Sequence, residues 1–202
     1  MSLWQNLPRP KGPIVLDDIP ELVTRSLQGE QAAMRALVER FGGQVYCLCY
    51  RMLGNRHDAE DVTQESFCRA LRSLGNWDAG RDFAPWLLAI AGNRCRTWLA
   101  ARSRRPPTTD LVDHLAVDRP RDAAAEGLNE EIQLALAGMR AEYRQAFLLF
   151  HQDEMSYEEI AGALDRPLGT VKTWVHRARR ELAQFLISRG ALEDNAHVVR
   201  RV

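Results

Sequence analysis

In residues 156–180, SYEEIAGALDRPLGTVKTWVHRARR, the side chains able to do chemistry are carboxylates in the first half and hydroxyls and cations in the second. Lys172, Thr173, His176, Arg177, Arg179 and Arg180 follow one another with no acidic residue anywhere in 168–180. Such a set binds phosphates and base edges rather than breaking bonds. The elements that must position it are written into the same stretch. Ser156 with Glu159 three residues on is a capping box: the hydroxyl takes the amide, and the carboxylate reaches back. Ile160, Ala161 and Leu164 give the short helix that follows an apolar face. Asp165, Arg166 and Pro167 end it, because proline donates no amide and drives its predecessor out of the α region. Proline is tolerated at the first turn of the next helix. There Leu168, Val171, Val175, Ala178 and Leu182 recur at helical spacing as a buried stripe, and the basic set falls on the other side. This is the helix-turn-helix pattern. A helical hairpin with a merely solvated basic face has the same spacing.

The 202 residues suffice for one large or two small domains, and 46% hydrophobic content supplies a core. Lys+Arg and Asp+Glu are 27 each, for a net charge of +0, which is unusual in a protein that grips phosphate. The charge is segregated, however. Basic residues gather at 94–105 and 172–180, acidic ones at 58–65 and 110–131. Two kinds of partner are implied, one polyanionic and one basic. The chain has no apolar run of membrane-spanning length and its first residues lack a signal-peptide core, so membrane insertion is not expected and the location read is cytoplasmic. Cys47, Cys49, Cys68 and Cys95 lack zinc-site spacing and are expected to be buried free thiols. No metal or other cofactor is called for.

The expected fold is all-α: two small helical domains joined by a flexible linker, the second containing the helix-turn-helix. Residues 1–17 form a proline-rich flexible lead-in, 18–104 the first domain, 105–127 the linker, 128–189 the second domain and 190–202 a tail. Helices are expected at 19–27, 30–41, 45–53, 55–74, 83–102, 128–137 and 141–151, with Gly42-Gly43 as a break. Asn55 caps the helix that carries Asp58, Asp61, Gln64 and Glu65, whose outer face is either solvated or a dock for a basic partner. Residues 75–82, GNWDAGRD, form a loop carrying an exposed Trp77 beside Asn76 and Arg81. The helix after it shows Asn93 and Arg94 outward. Rings beside a basic helix suit single-stranded nucleic acid, where bases stack and phosphates meet cations. Trp86 and Trp98 read as core. The linker, extended at ~3.3 Å per residue, spans ~65 Å, near two duplex turns at ~34 Å each.

Three stretches in order, DAEDVTQESFCRAL (58–71), FAPWLLAIAGNRCRTWL (83–99) and SYEEIAGALDRPLGTVKTWVHRAR (156–179), resemble the bacterial RNA polymerase sigma factors of the extracytoplasmic-function (ECF) group of the sigma-70 family. The likeness runs over about residues 18–185. It implies a subunit with no catalysis of its own that directs core RNA polymerase to promoters. By that likeness Asp58, Asp61, Gln64 and Glu65 dock on the clamp helices of the largest polymerase subunit, and the second domain meets the flap. Asn76, Trp77, Arg81, Asn93 and Arg94 match the part that captures flipped bases of the minus-ten element as opened strand. Tyr157, Glu158, Lys172, Thr173, His176, Arg177 and Arg179 match the reader of the minus-thirty-five duplex. The linker then threads across the polymerase, and an anti-sigma factor holds the protein inactive. Two positions depart from the pattern: Trp174, expected half-buried, replaces a basic residue, and Phe150-His151 replaces an arginine. The competing reading is a free-standing helix-turn-helix regulator that binds DNA without polymerase. An enzyme is disfavoured, since no phosphate loop, metal spacing or nucleophile elbow occurs.

Overall fold

A computed structural model describes residues 18–104 and 123–191, and every described element is helical. The first domain comprises α1 (Asp18–Leu27), α2 (Gln31–Leu53), α3 (Arg56–Arg72), a 3₁₀ turn (Leu74–Asn76) and α4 (Phe83–Arg102). The second comprises α5 (Ala123–Gly138), α6 (Ala141–His151), α7 (Tyr157–Leu164) and α8 (Leu168–Ser188). This is the all-α, two-domain arrangement expected. The lead-in, residues 105–122 of the linker and residues 192–202 of the tail lie outside the described residues.

Local chemistry sets most boundaries. Gly54 closes α2 in the left-handed conformation, φ 72°, with its amide on the Tyr50 carbonyl. Asn55 then opens α3, its Oδ1 accepting the Asp58 amide at 3.0 Å. Two boundaries differ from expectation. Gly42-Gly43 does not break the chain, and α2 runs unbroken through it for 23 residues. Each glycine costs about 1 kcal/mol against alanine in a helix. Both are buried here between Phe41 and Val45, and packing on both sides outweighs that local cost. The helix expected from residue 128 begins earlier, at Ala123, within the proposed linker.

The first core is built by α2, α3 and α4 around Phe41, Leu48, Met52, Val62, Phe83 and Leu87. In the second, α5 and α6 pack under the helix-turn-helix as expected, with Leu149, Ile160, Val171, Val175 and Ala178 essentially sealed from solvent. The two cores are continuous. α4 lies on α6 and α7, and α2 lies on α5 and α6, so one apolar cluster runs through both domains.

The cysteine expectation holds in part. Cys49 and Cys95 are free and buried, and a hydrogen bond from Cys49, then burial, push the Cys95 thiol well above its ordinary value. Cys68 is exposed instead, on the outer face of α3. Its flanking residues Phe67 and Ala70 are the ones that turn inward. Among the described residues no helix is long and apolar enough to cross a membrane, and no three His, Cys, Asp or Glu side chains are grouped to hold a metal.

Candidate functional site

Two charged surfaces face solvent on different domains. The first is carried by α3. Asp61 and Gln64 are exposed one turn apart. Asp61 has the His57 imidazole 3.9 Å away on its own helix, a weak exposed pair. The other two acids are held from α4. Asp58 accepts from Arg102 at 3.1 Å, and Glu65 lies 2.6 Å from Arg94 and 3.1 Å from Arg69. Burial pushes the Glu65 carboxyl up. Hydrogen bonds and charge from Arg94 and Arg69 together outweigh it and leave the group below its ordinary value. Glu65 and Arg94, read from sequence as belonging to separate faces, are therefore one ion pair. They line a groove of about 610 Å³ between α3 and α4, with Arg69, Arg72, Ile90 and Asn93.

The loop before α4 places its residues unequally. Asn76 and Arg81 are exposed, and Arg81 pairs with Asp78 at 3.4 Å. Trp77 is not the exposed ring expected. Its indole meets Phe83 edge-on at a centroid distance of 5.4 Å, and its Nε1 is buried. The same ring that suits a base also suits the Phe83–Trp86 cluster beside it, and the sequence does not say which wins. Trp86 and Trp98 both pack against the core, half-buried. Asn93 is exposed, and its Oδ1 accepts from Arg96 at 2.6 Å.

The second surface is the helix-turn-helix. Ser156 Oγ accepts the Glu159 amide at 3.2 Å, and Glu159 Oε2 accepts the Ser156 amide at 2.7 Å, the reciprocal box read from sequence. Asp165 takes a left-handed turn, φ 51°, a conformation that Asp and Asn reach more readily than most residues. α8 begins at Leu168 and buries Val171, Val175 and Ala178. Lys172, Thr173, His176 and Arg177 are exposed in one row. Two of the cations are braced by their own domain. Arg177 donates to the Tyr143 hydroxyl at 2.7 Å, and Arg179 donates to His151 Nε2 at 2.8 Å while lying over the Phe150 ring. Desolvation, then the Arg179 charge, hold His151 below its ordinary value. Tyr157 stacks on Phe150 at 4.5 Å, and Lys172 stands over the Tyr157 ring at 5.8 Å. Glu158 is exposed. So Phe150-His151, one of the departures noted above, forms the platform that holds Arg179 and Tyr157. Trp174 is half-buried as expected, at a cleft with Arg96 and Tyr143.

The sequence reading missed Arg144 and Gln145 of α6, Gly92 of α4, and Arg166. Arg144 is 5% exposed and donates to three backbone carbonyls: Met52 at the end of α2, Ala137 at 2.7 Å and Met139 at 3.0 Å. In sequence it is one more polar residue on a helix, with nothing nearby to mark it as buried.

The two packed helical domains thus carry an acidic helix face on one and a helix-turn-helix on the other. The family model for Sigma-70 region 2 matches residues 37–105, and that for Sigma-70, region 4 matches residues 129–182. The ECF RNA polymerase sigma factor SigW of Bacillus subtilis is 34% identical over 180 residues, 83% of this chain and 96% of SigW. The ECF RNA polymerase sigma-E factor of Escherichia coli is 33% identical over 174 residues, 80% of this chain and 90% of the relative. Among solved structures, CnrH in complex with the cytosolic domain of CnrY matches with a TM-score of 0.62 at 25% identity, over 83% of this chain and 96% of CnrH. RpoE in complex with the anti-sigma factor NepR from Bartonella quintana shares the fold, with a TM-score of 0.60 at 21% identity over 85% and 98% of the two chains. The chain belongs to the ECF group of the sigma-70 family. Proteins of this family are initiation subunits and not enzymes.

Proposed function

We propose that this chain binds core RNA polymerase through α3 and directs it to promoters in the cytoplasm, reading the minus-thirty-five element as duplex with α8 and the minus-ten element as opened strand with the loop before α4. The observation that carries the reading is the pairing, on one chain, of an exposed acidic face at Asp61 and Gln64 with an exposed basic row at Lys172, Thr173, His176 and Arg177. A polyanion fits the second, and a basic protein surface, such as the clamp helices of the largest polymerase subunit, fits the first. Asp58 and Glu65 border that dock while Arg102 and Arg94 tie it to α4. Asn76, Arg81 and Asn93 are exposed where an extruded strand could meet them, and Trp77 supports the loop from beneath. Tyr157 and Glu158 lie at the start of α7, beside Lys172. Contacts with the polymerase flap belong to the second domain. The CnrH structure holds the cytosolic domain of CnrY, and the RpoE structure holds the anti-sigma factor NepR; an anti-sigma protein is proposed here too.

Asp61→Lys tests the reading. Asp61 makes only a weak exposed contact, so the fold should be unchanged by circular dichroism. Binding to purified core polymerase should be lost, while binding of a minus-thirty-five duplex by the isolated chain is unaltered. Undiminished polymerase binding by the variant contradicts the assignment of α3.

A further inference from the structure

Helix α4 comes close enough to the second domain to bring three arginines together. A Cβ at Gly92 would lie 2.6 Å from Cδ of Gln145 on α6, nearer than real side chains approach, so the helices meet there only because residue 92 is glycine. One turn further along α4 stands Arg96. Opposite it are Arg140, just before α6, and Arg166, in the turn before α8, and the three line one cleft of about 310 Å³. Tyr143 and the half-buried Trp174 help to wall it, and among the described residues that line it the one carboxylate is Glu142.

Three cations against one carboxylate leave positive charge without a counter-charge. Glu142 lies 4.0 Å from Arg140 Nε, the outer limit of an ion pair, and Arg140 is largely exposed. The Arg96 guanidinium donates to a neutral acceptor, Asn93 Oδ1. The Arg166 side chain has no hydrogen-bond or ion-pair partner among the described residues. Burial lowers the Arg96 pKa, and repulsion from Arg166 adds to it against the pull of Glu142. Guanidinium groups keep their proton at any working pH, so the repulsion stands until an anion enters.

The chemistry of the cleft selects the anion. Guanidinium forks match phosphate oxygens, and three of them from separate parts of the chain surround a compact, multiply charged ion rather than track a strand. The volume is at the lower end of the ~300–1,000 Å³ of small-molecule sites. At about 100° per residue, Trp174 is turned to the flank of α8 away from Lys172 and His176, so the cleft is not the duplex-reading face. Trp174 is also a position where this chain departs from a basic residue. A cation there would have strengthened a grip on duplex phosphate, whereas a ring gives a base a face to stack on.

We propose that this cleft binds a phosphoanhydride anion, either inorganic or the polyphosphate tail of a nucleotide, through Arg96, Arg140 and Arg166, with Trp174 as the seat for a base. None of these four residues belongs to the surfaces assigned above to polymerase and promoter, and the site does not depend on that assignment.

Isothermal titration calorimetry of the full chain with sodium triphosphate and with ATP, in the absence of divalent metal, tests the site. Triphosphate should bind saturably, one per chain. Arg96→Gln and Arg166→Gln should each weaken binding about tenfold or more, the loss of one charge-assisted contact. Arg35→Gln, which removes an exposed cation of α2 outside the cleft, should leave it unchanged. Arg166 is exposed, so its variant should keep the helical circular dichroism of the wild type and carries the test if Arg96→Gln does not fold. ATP binding more tightly than triphosphate, with the difference lost in Trp174→Leu, identifies a nucleotide as the ligand. Equal affinities that Trp174→Leu leaves alone identify the inorganic ion. Absence of saturable binding by either anion at millimolar concentration overturns the proposal, and if Arg166→Gln then weakens duplex binding the cleft belongs to a DNA backbone. Binding that Arg35→Gln weakens as much as Arg166→Gln also overturns it, as general charge attraction.

Discussion

At the scale of residues, the reading surface mixes free and committed side chains. Lys172, Thr173 and His176 are exposed, the Thr173 hydroxyl donating to the Gly169 carbonyl of its own helix at 2.7 Å, whereas Arg177 and Arg179 are aimed by Tyr143 and His151. A braced guanidinium has less freedom to lose on binding, which favours a fixed base contact over a loose phosphate grip. Arg177→Ala should therefore weaken promoter-directed initiation by about 1–3 kcal/mol. Equal losses on templates with a scrambled upstream element would assign Arg177 to phosphate. The Arg179–His151 bond requires a neutral imidazole acceptor. With its folded pKa lowered below the unfolded value near 6.5, His151 stabilises the fold fully above that pH, and the contribution is lost as pH falls toward the folded pKa. A histidine NMR titration should place the His151 midpoint below 6.5, and His151→Ala should remove that component of the pH dependence. Glu65 has the same sign at lower pH: its contribution is present above the ordinary carboxylate range and lost as pH falls through its depressed value. Because the pair is over a third exposed on the Glu65 side, Glu65→Gln should cost less than about 1 kcal/mol in thermal stability.

At the scale of elements, what was legible in the sequence is what local chemistry decides. The Ser156–Glu159 box, the Asn55 cap and the break at Asp165 to Pro167 need only neighbours three or four residues away, and each is where the sequence reading puts it. The continuity of α2 was not legible. Gly42-Gly43 is a breaker by propensity, and only the packing of α3 and α4 around it makes it helix interior. Trp77 fails for the same reason, since its burial depends on where Phe83 stands. Ser156→Ala should destabilise the second domain by about 1 kcal/mol, measured by urea denaturation. An unchanged midpoint would mean that α8 and the core, rather than the box, set the start of α7.

At the scale of the whole molecule, segregated charge resolves the conflict between a net charge of +0 and a polyanionic partner. The cations of α8 stand on one domain and the acids of α3 on the other, so neither surface cancels the other locally. The chain alone should nonetheless bind duplex weakly and with steep salt dependence, and become a tight promoter binder only within polymerase. The order of the three family stretches was legible from sequence alone, and so was the division into two helical domains. The joint between them was not: Gly92 of α4 is more than fifty positions from Arg144 and Gln145 of α6, and none of the three carries a local signature. The most direct test of the account is run-off transcription. This protein would be mixed with purified bacterial core polymerase and fragmented genomic DNA from its source, and the 5′ ends of the transcripts sequenced. The account predicts discrete starts that share two upstream motifs and are absent without the protein. Failure of the chain to bind core polymerase, with DNA binding intact, would contradict it.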